Sequence, residues 1–308
     1  MRSNILITGA EGLVGSALRQ SLSLRGDAPV NLDLRAPSAR GRGDVRRADD
    51  VKTALAGCRG VVHLAAVSRV IWGERDPALC TATNVGGTRN VLDAARASIT
   101  RPWVIFASSR EVYGAPIQLP ATEDCPLNPM NIYGRTKVEG ERLVEEARAA
   151  GLRAATVRLS NVYGSIGDHA TRVVPAFARA AVRGEPLQIE GSSHTFDFTH
   201  IDDTVRGLVS LIDLLDGGGP PPPSIHFLTG QPTSLAALAE TCIHLAGSRS
   251  VRCEAPSRSF DVSHFYGDFG RARALLGWSP QVALADGVAR LIHDFRAELQ
   301  PAAASTSR

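Results

Sequence analysis

Three features of this chain predict a doubly wound α/β fold, a parallel sheet with helices on both faces and a smaller C-terminal α/β lobe. Short apolar runs that do not alternate with polar residues recur along the chain, separated by stretches of helical periodicity with short connections. The first run, Asn4-Ile5-Leu6-Ile7-Thr8, passes into Gly9-Ala10-Glu11-Gly12-Leu13-Val14-Gly15 and then a helical pattern through Leu18, Leu22 and Leu24. The second, Val30-Asn31-Leu32-Asp33, ends in a carboxylate. Repeated strand–helix alternation builds a parallel sheet with right-handed crossovers, and such sheets bind ligands beyond the carboxyl ends of their strands.

The first elements already suggest a ligand. Glycines between strand and helix permit a tight turn and close backbone approach, so a pyrophosphate can sit at the helix N-terminus. Asp33 lies at the distance where a ribose hydroxyl is bound, and its charge would repel a 2′-phosphate, which favours NAD over NADP. Arg35 stands close enough to leave that choice open, and the alternative is a plain turn followed by an unrelated acid. Next come Gly43-Asp44-Val45, a short helical stretch over 51–56 and a third strand, Gly60-Val61-Val62-His63-Leu64-Ala65-Ala66. Residues 68–77 read as a loop, 84–97 as a helix, and Trp103-Val104-Ile105-Phe106-Ala107 as the next buried strand. Ser108, Ser109 and Glu111 fall at its carboxyl end.

A proline- and acid-containing loop over 122–129 precedes a helix from Tyr133 to about Ala150. Tyr133 and Lys137 are four residues apart and share one helix face. A cation beside a phenol favours the phenolate, which would suit Tyr133 to proton transfer near neutral pH. Taken alone, a Tyr-x-x-x-Lys spacing is more often an ordinary helix surface. Residues 154–159 form another strand, followed by Ser160-Asn161-Val162-Tyr163-Gly164. A helix over 173–182, a strand over 186–189 and a short strand over 196–201 lead into a helix from Asp202-Asp203. Gly217 to Pro223 reads as a stiff solvent loop. Helices are expected over 235–246 and 288–299, with a frayed tail over 301–308. This order places a dinucleotide-binding domain at 1–165, with elements returning at 196–215, and a substrate lobe at 166–300.

Composition excludes several classes. The 308 residues suffice for one large α/β domain with a smaller lobe, and a 44% hydrophobic content is that of an ordinary globular protein. A net charge of +3, with both signs interspersed, supports neither nucleic-acid nor anionic-membrane binding. The five cysteines, Cys58, Cys80, Cys125, Cys242 and Cys253, are scattered and form no metal-ligand spacing, which predicts reduced thiols and a cytoplasmic protein without a metal. No signal peptide is evident, and no apolar run approaches the roughly 20 residues of a membrane span.

From Gly9 to Pro280 the chain resembles the extended short-chain dehydrogenase/reductase family, specifically its NAD-dependent nucleotide-sugar epimerases and dehydratases. Gly9, Gly12 and Gly15 match its GxxGxxG turn, and Gly43-Asp44-Val45 its adenine-contact segment. His63-Leu64-Ala65-Ala66 and Asn84-Val85-Gly86-Gly87-Thr88 match the strand and helix beside the cofactor. Ser108-Ser109-x-x-Val112-Tyr113-Gly114 followed by Tyr133-x-x-x-Lys137 matches its catalytic pattern. Asn161-Val162-Tyr163-Gly164, Asp197-Phe198-Thr199-His200-Ile201-Asp202-Asp203 and Leu276-Gly277-Trp278-x-Pro280 complete it.

The resemblance implies a Rossmann domain and a tightly held NAD, contacted by Gly9, Gly12, Leu13, Val14, Gly15, Asp33, Asp44, Val45, Leu64, Ala65, Ala66, Asn84 and Ser108. It implies that Tyr133 takes the C4 hydroxyl proton of a nucleotide sugar while C4 gives up hydride. Lys137 would lower the tyrosine pKa and hold the nicotinamide ribose, and Ser109 would share the sugar oxygen. Ser109, Arg110, Asn161, Val173, Arg258 and Asp261 would contact the substrate, and the helices containing Asn84 and Tyr133 would pair in a homodimer.

Departures from the family pattern bear on the reaction. Phe196-Asp197-Phe198 stands where the family often has Arg-Asp-Phe, so a phosphate-binding arginine is missing, which Arg172 or Arg179 could replace. Arg258-Ser259-Phe260-Asp261-Val262 replaces Arg-Pro-Gly-Asp-Val. Glu111 resembles the C5 base of dehydratases and decarboxylases, or is paired with Arg110. Arg110 stands where sugar 4,6-dehydratases carry the acid that protonates the leaving hydroxyl. The expected activity is 4-epimerisation of a UDP-hexose. Dehydration, or decarboxylation of UDP-glucuronate, through Glu111 is the alternative within the class. A non-catalytic NAD(P)-binding regulator is the alternative outside it, disfavoured by the intact Tyr133–Lys137 pair.

Overall fold

The computed structural model describes residues 4–258 and 260–299; the expected tail over 301–308 lies outside the described residues, as does Ser259. Six strands form the central sheet: β1 (Asn4–Thr8), β2 (Pro29–Leu32), β3 (Cys58–His63), β4 (Trp103–Ser109), β5 (Ala154–Leu159) and, from late in the chain, Ile225–Phe227. The spatial order is β2-β1-β3-β4-β5 and then that last strand, all pairs parallel. The order reverses between β1 and β3, so a ligand crevice opens beyond the carboxyl ends of those two strands.

Strand alternation explains how the apolar runs are buried on both faces. Ile5 and Ile7 of β1 point to one side, where α1 (Leu13–Leu24) contributes Leu18 and Leu22. Leu6 points to the other, where α2 (Ala48–Leu55) contributes Val51 and Leu55. Each such buried Leu or Ile contributes roughly 1.5–3 kcal/mol, which outweighs the weak intrinsic preferences of these short elements. After β3 come α3 (Val70–Arg75), α4 (Pro77–Thr81), a π-helical turn over Ala82–Gly86 and α5 (Gly87–Ala97). The long helix α6 (Ile132–Ala149) crosses behind β4. Gly140 lets it come close, since a Cβ there would lie 2.5 Å from Cζ of Phe106. This approach carries the first turn of α6 to the end of β4.

The rest of the chain builds a second lobe and returns to the sheet. In order follow β6 (Asn161–Tyr163), α7 (Val173–Arg183), β7 (Leu187–Glu190), β8 (Thr195–His200), α8 (Ile201–Asp216), β9 (Ile225–Phe227), β10 (Pro232–Ser234), α9 (Leu235–Leu245), β11 (Arg252–Ala255), α10 (Gly270–Leu276) and α11 (Leu284–Leu299). Helix α8 packs with α1 on the first face of the sheet through Leu208, Leu211 and Ile212. A separate core gathers Phe177, Leu187, Phe198, Leu238 and Leu291 from α7, β7, β8, α9 and α11. Strands β10, β8 and β6 form one small sheet, β11 and β7 another.

Several elements differ from the sequence reading. Residues 68–77, expected as a loop, hold α3 and the start of α4, where Asp76 caps the helix by accepting from Leu79 N at 2.9 Å. Strands β9, β10 and β11 are only three or four residues long and were not expected, nor was α10. The Gly217 to Pro223 loop is pinned: Arg148 donates to the carbonyls of Pro221 and Pro222, and Arg153 to that of Gly219. All five cysteines are free. Among the described residues no helix is long and apolar enough to cross a membrane, and no three His, Cys, Asp or Glu side chains cluster as metal ligands.

Candidate active site

The glycine turn forms a cradle of backbone. Gly9 adopts φ +71°, and a Cβ there would lie 2.7 Å from Ala65 N, so the turn rests directly on the Leu64–Ala66 segment leaving β3. Leu64 N donates to Thr8 O at 3.1 Å and Ala65 N to Thr8 Oγ1 at 3.2 Å, which fixes that segment. A Cβ on Gly15 would meet Gly9 O at 2.2 Å. Helix α1 begins at Leu13 with no side-chain cap and no acid in its first turn, leaving its N–H groups and dipole for an anion. Leu13 and Val14 pack half-buried against the core. Asp33 closes the far end, accepting from Glu11 N at 3.0 Å and Arg35 N at 2.8 Å. Asp44 pairs with Arg46, whose hydrogen bonds hold its pKa below the ordinary carboxylate value, and the Val45 carbonyl accepts from Asn90. An uncapped helix start, a glycine floor and a carboxylate at the ribose distance fit an NAD molecule.

Beyond β4 the chemical groups converge. Tyr133, Ser109 and Lys137 are each no more than 9% exposed. The Ser109 hydroxyl neighbours the Tyr133 phenol and accepts from Glu111 N at 3.2 Å. Burial pushes the Tyr133 pKa up to about 12, opposed by the neighbouring Ser109 hydroxyl and by Arg172, and reinforced by the Glu111 charge. Lys137 therefore does not have the dominant effect expected of it. Its Nζ is turned to the Ala107 carbonyl, to which it donates at 2.7 Å, and sits 5.8 Å from the Tyr133 ring centroid. Burial lowers the Lys137 pKa to about 8. A phenol with a hydroxyl as neighbour, beside a cation whose own pKa has been lowered, is equipped to move a proton at an oxygen placed between them.

Residues 110 and 111 form a tight pair beside this centre. Arg110 Nη2 lies 2.8 Å from Glu111 Oε1, and Asn131 Nδ2 donates to Glu111 Oε2 at 2.8 Å. The guanidinium lies over the Phe196 ring at 4.6 Å and the Phe265 ring at 5.7 Å, while its Nη1 has no partner among the described residues. Asn131 also caps α6, its Oδ1 accepting from Gly134 N at 2.8 Å, so the helix carrying Tyr133 and the Glu111 carboxylate share one anchor.

The residues expected at the nucleotide end are more dispersed. Arg258 pairs with Asp261 at 2.8 Å and Glu190 at 3.2 Å. The Asn161 amide donates to Asp197 O, and Val173 packs on the second lobe's core. Of the two arginines considered as substitutes at position 196, Arg179 is bound to the Ala170 carbonyl, whereas Arg172 acts on Tyr133. Sequence reasoning missed Arg69, which donates to Thr171 Oγ1 at 2.8 Å; burial, with the like charges of Arg172 and Arg258, holds its pKa below the usual arginine value. Arg69, Arg172 and Arg258 thus lie near enough to act on one another, Arg172 and Arg258 each also paired with an acid. Trp72 and His169 meet edge to face at 4.7 Å across the same two segments.

Two buried networks support the site. Asn84 accepts from Val67 N at 2.8 Å and donates to Thr136 Oγ1 at 2.9 Å, tying the segment after β3 to α6 between Tyr133 and Lys137. It lies in the π-helical turn before α5. The Ser108 hydroxyl donates to Glu141, which is held by Arg158, and Arg158 in turn donates to Tyr113 at 2.6 Å. The Ser108 hydroxyl proton is therefore committed to Glu141. Neither Asn131 nor the Glu141–Arg158 pair was predicted. The asparagine three residues before Gly134 was a visible N-cap signal.

A sequence model of the "NAD dependent epimerase/dehydratase family" matches residues 5–224. The chain is 33% identical to a UDP-glucose 4-epimerase of Mycolicibacterium smegmatis, over 96% of this chain and 99% of that one. It is 29% identical to UDP-glucuronic acid decarboxylase 1 of Arabidopsis thaliana, over 96% of this chain and 70% of that one. Among solved structures, MoeE5 in complex with UDP-glucuronic acid and NAD superposes with a TM-score of 0.88 at 30% identity, covering 96% of this chain and all of that one.

Proposed function

We propose that this chain, which belongs to the NAD-dependent epimerase/dehydratase family, inverts C4 of a UDP-hexose through a transient 4-keto sugar. The observation that carries this reading is the convergence of the buried Tyr133, Ser109 and Lys137 beyond the end of β4, next to the glycine cradle. NAD, the cofactor of the family, supplies the acceptor and later the donor of the C4 hydride. Tyr133 takes the proton from the C4 oxygen and returns it after inversion, and Ser109 shares that oxygen and relays the proton. Lys137 keeps a positive charge beside the developing oxyanion and donates to the ribose. Gly9, Gly12, Gly15, Asp33 and the Leu64–Ala66 segment line the dinucleotide. Asn161, Val173, Arg258 and Asp261 line the nucleotide of the substrate, with Arg69 and Arg172 adding charge for its diphosphate.

Three coarser features belong to the same proposal. Residues 1–165 with 196–215 act as the cofactor domain and 166–300 as the substrate lobe; two separate cores support the division, the first also taking in Ile225, Phe227, Ala272 and Trp278 and the second Tyr163, Phe196 and Phe198. The five free cysteines support a cytoplasmic setting. A homodimer would pair α5 and α6, which lie side by side and present the exposed Arg89, Arg96, Arg135 and Arg142 outward. Sedimentation showing monomer alone at micromolar concentration would remove it.

The test is incubation of the NAD-loaded protein with UDP-, dTDP- and GDP-sugars. An isomer of unchanged mass from a UDP-hexose is the expected product. Loss of water or carbon dioxide would overturn the reading in favour of Glu111-dependent chemistry, and the absence of any product, in favour of a binding protein.

A further inference from the structure

We infer that Arg110 keeps the reaction confined to C4: by holding the Glu111 carboxylate in an ion pair, it denies the 4-keto sugar a base at C5. The inference rests on the C4-oxidation reading above. A ketone at C4 acidifies the neighbouring C5–H bond. If a carboxylate takes that proton, the C5–H bond breaks, the proton goes to the carboxylate oxygen and the electron pair moves into an enolate at C4. Such an enolate can lose a group at C6 or regain a proton on the wrong face of C5, and either outcome is a side reaction for a C4 epimerase.

Glu111 is placed to cause this: its N–H donates to Ser109 Oγ, and its carboxylate is bound to Asn131, the cap of the helix turn that carries Tyr133. Its two oxygens are nevertheless both occupied. Oε1 is 2.8 Å from Arg110 Nη2, and Oε2 accepts from Asn131 Nδ2 at 2.8 Å. Neither partner is free to move away. The Arg110 guanidinium is packed on Phe196 at 4.6 Å and Phe265 at 5.7 Å, and Asn131 is locked as the cap of α6 by Gly134 N. The Arg110 side chain is 10% exposed and that of Glu111 8%, so releasing the carboxylate would leave an uncompensated charge in a dry site. Phe196 thus has a role of its own: with no arginine on β8, an aromatic face is available to seat the Arg110 cation. Arg110 is a positioning residue here, acting through Glu111.

The experiment uses NAD-loaded protein and UDP-glucose in D2O, with deuterium at C5 and inversion at C4 both read from the recovered sugar by NMR. Wild type is expected to invert C4 with no C5 deuterium. In Arg110→Met, C5 deuterium per C4 inversion should rise about tenfold or more above the wild-type background, because the carboxylate is no longer held in the ion pair. Arg110→Lys, which keeps a cation at Glu111, should restore the wild-type ratio, and Arg110→Met with Glu111→Gln should abolish the exchange. Should Arg110→Met not fold, Arg110→Gln takes its place. Deuterium at C5 in wild type, or inversion without C5 exchange in Arg110→Met (or in the Arg110→Gln that replaces it), would overturn the inference. Wild type that leaves C4 of UDP-sugars untouched would instead remove the C4 reading, and the inference with it.

Discussion

Replacing Lys137 by methionine should make this protein more stable while it abolishes turnover. Lys137 is buried against Phe106, with its ammonium 5.0 Å from that ring, and burial lowers its pKa from an ordinary 10.5 to about 8. The folded state therefore binds this proton less tightly than the unfolded chain does. Below pH 8 the full penalty applies, and it disappears as pH rises through 10.5, where both states hold a neutral amine. A drop of that size is equivalent to about 3 kcal/mol at pH 7. Loss of the charge-assisted hydrogen bond to the Ala107 carbonyl offsets roughly 1.5 kcal/mol of it. Methionine fills a similar volume, so Lys137→Met is expected to gain about 1–2 kcal/mol at pH 7. By pH 11 it should have no gain, or a small loss. Urea unfolding of both proteins without cofactor, compared at several pH values, reads the difference and cancels the other titrating groups. A variant less stable than wild type at pH 7, or a difference that does not change between pH 8 and 10.5, would refute the reasoning.

Other perturbations address the neighbouring parts. Tyr133→Phe should lower turnover by roughly 10²–10⁴-fold with UDP-sugar affinity nearly unchanged, as steady-state rates and calorimetry would show. In the same pair of proteins without cofactor, the difference in phenolate absorbance should emerge only near pH 12, because burial raises this group; a transition near 10 would contradict the buried placement. Gly15→Ala forces a Cβ to within 2.2 Å of Gly9 O, and displacing the turn should cost about 1–3 kcal/mol together with NAD affinity, both measurable by thermal shift with and without NAD. Asp33→Asn removes the charge facing a 2′-phosphate, so the NAD-over-NADP preference should fall by about tenfold or more in direct titrations.

Much of the fold could be read in the sequence, because its strongest elements are defined locally. The Asn4–Thr8 run, the glycines after it and the amphipathic Tyr133 helix each carry their own signal, and the observed strand Ala154–Leu159 coincides with the predicted one. What was missed depends on partners distant in sequence. Strand β9 holds only Ile225, His226 and Phe227, and it is a strand because β5 pairs with it. Arg69 meets Thr171 across 102 positions and Trp72 meets His169 in the same place, which no local pattern announces. The Arg110–Glu111 pairing was visible as neighbouring charges. That Phe196 would seat the guanidinium and Asn131 would hold the second carboxylate oxygen was not, since strand end, helix cap and β8 come together only in the folded chain. Lys137 shows the same limit: helical spacing placed it on the face of Tyr133, but the carbonyl of Ala107 decides where its ammonium points.

The central claim, reversible oxidation at C4 followed by inversion, is tested most directly by the fate of a label on that carbon. UDP-glucose carrying deuterium at C4, incubated with the NAD-loaded protein in ordinary water, should give the C4-inverted sugar with its deuterium still on C4. Deuterium found at C6, or washed out to solvent in a product that has lost water or carbon dioxide, would contradict it.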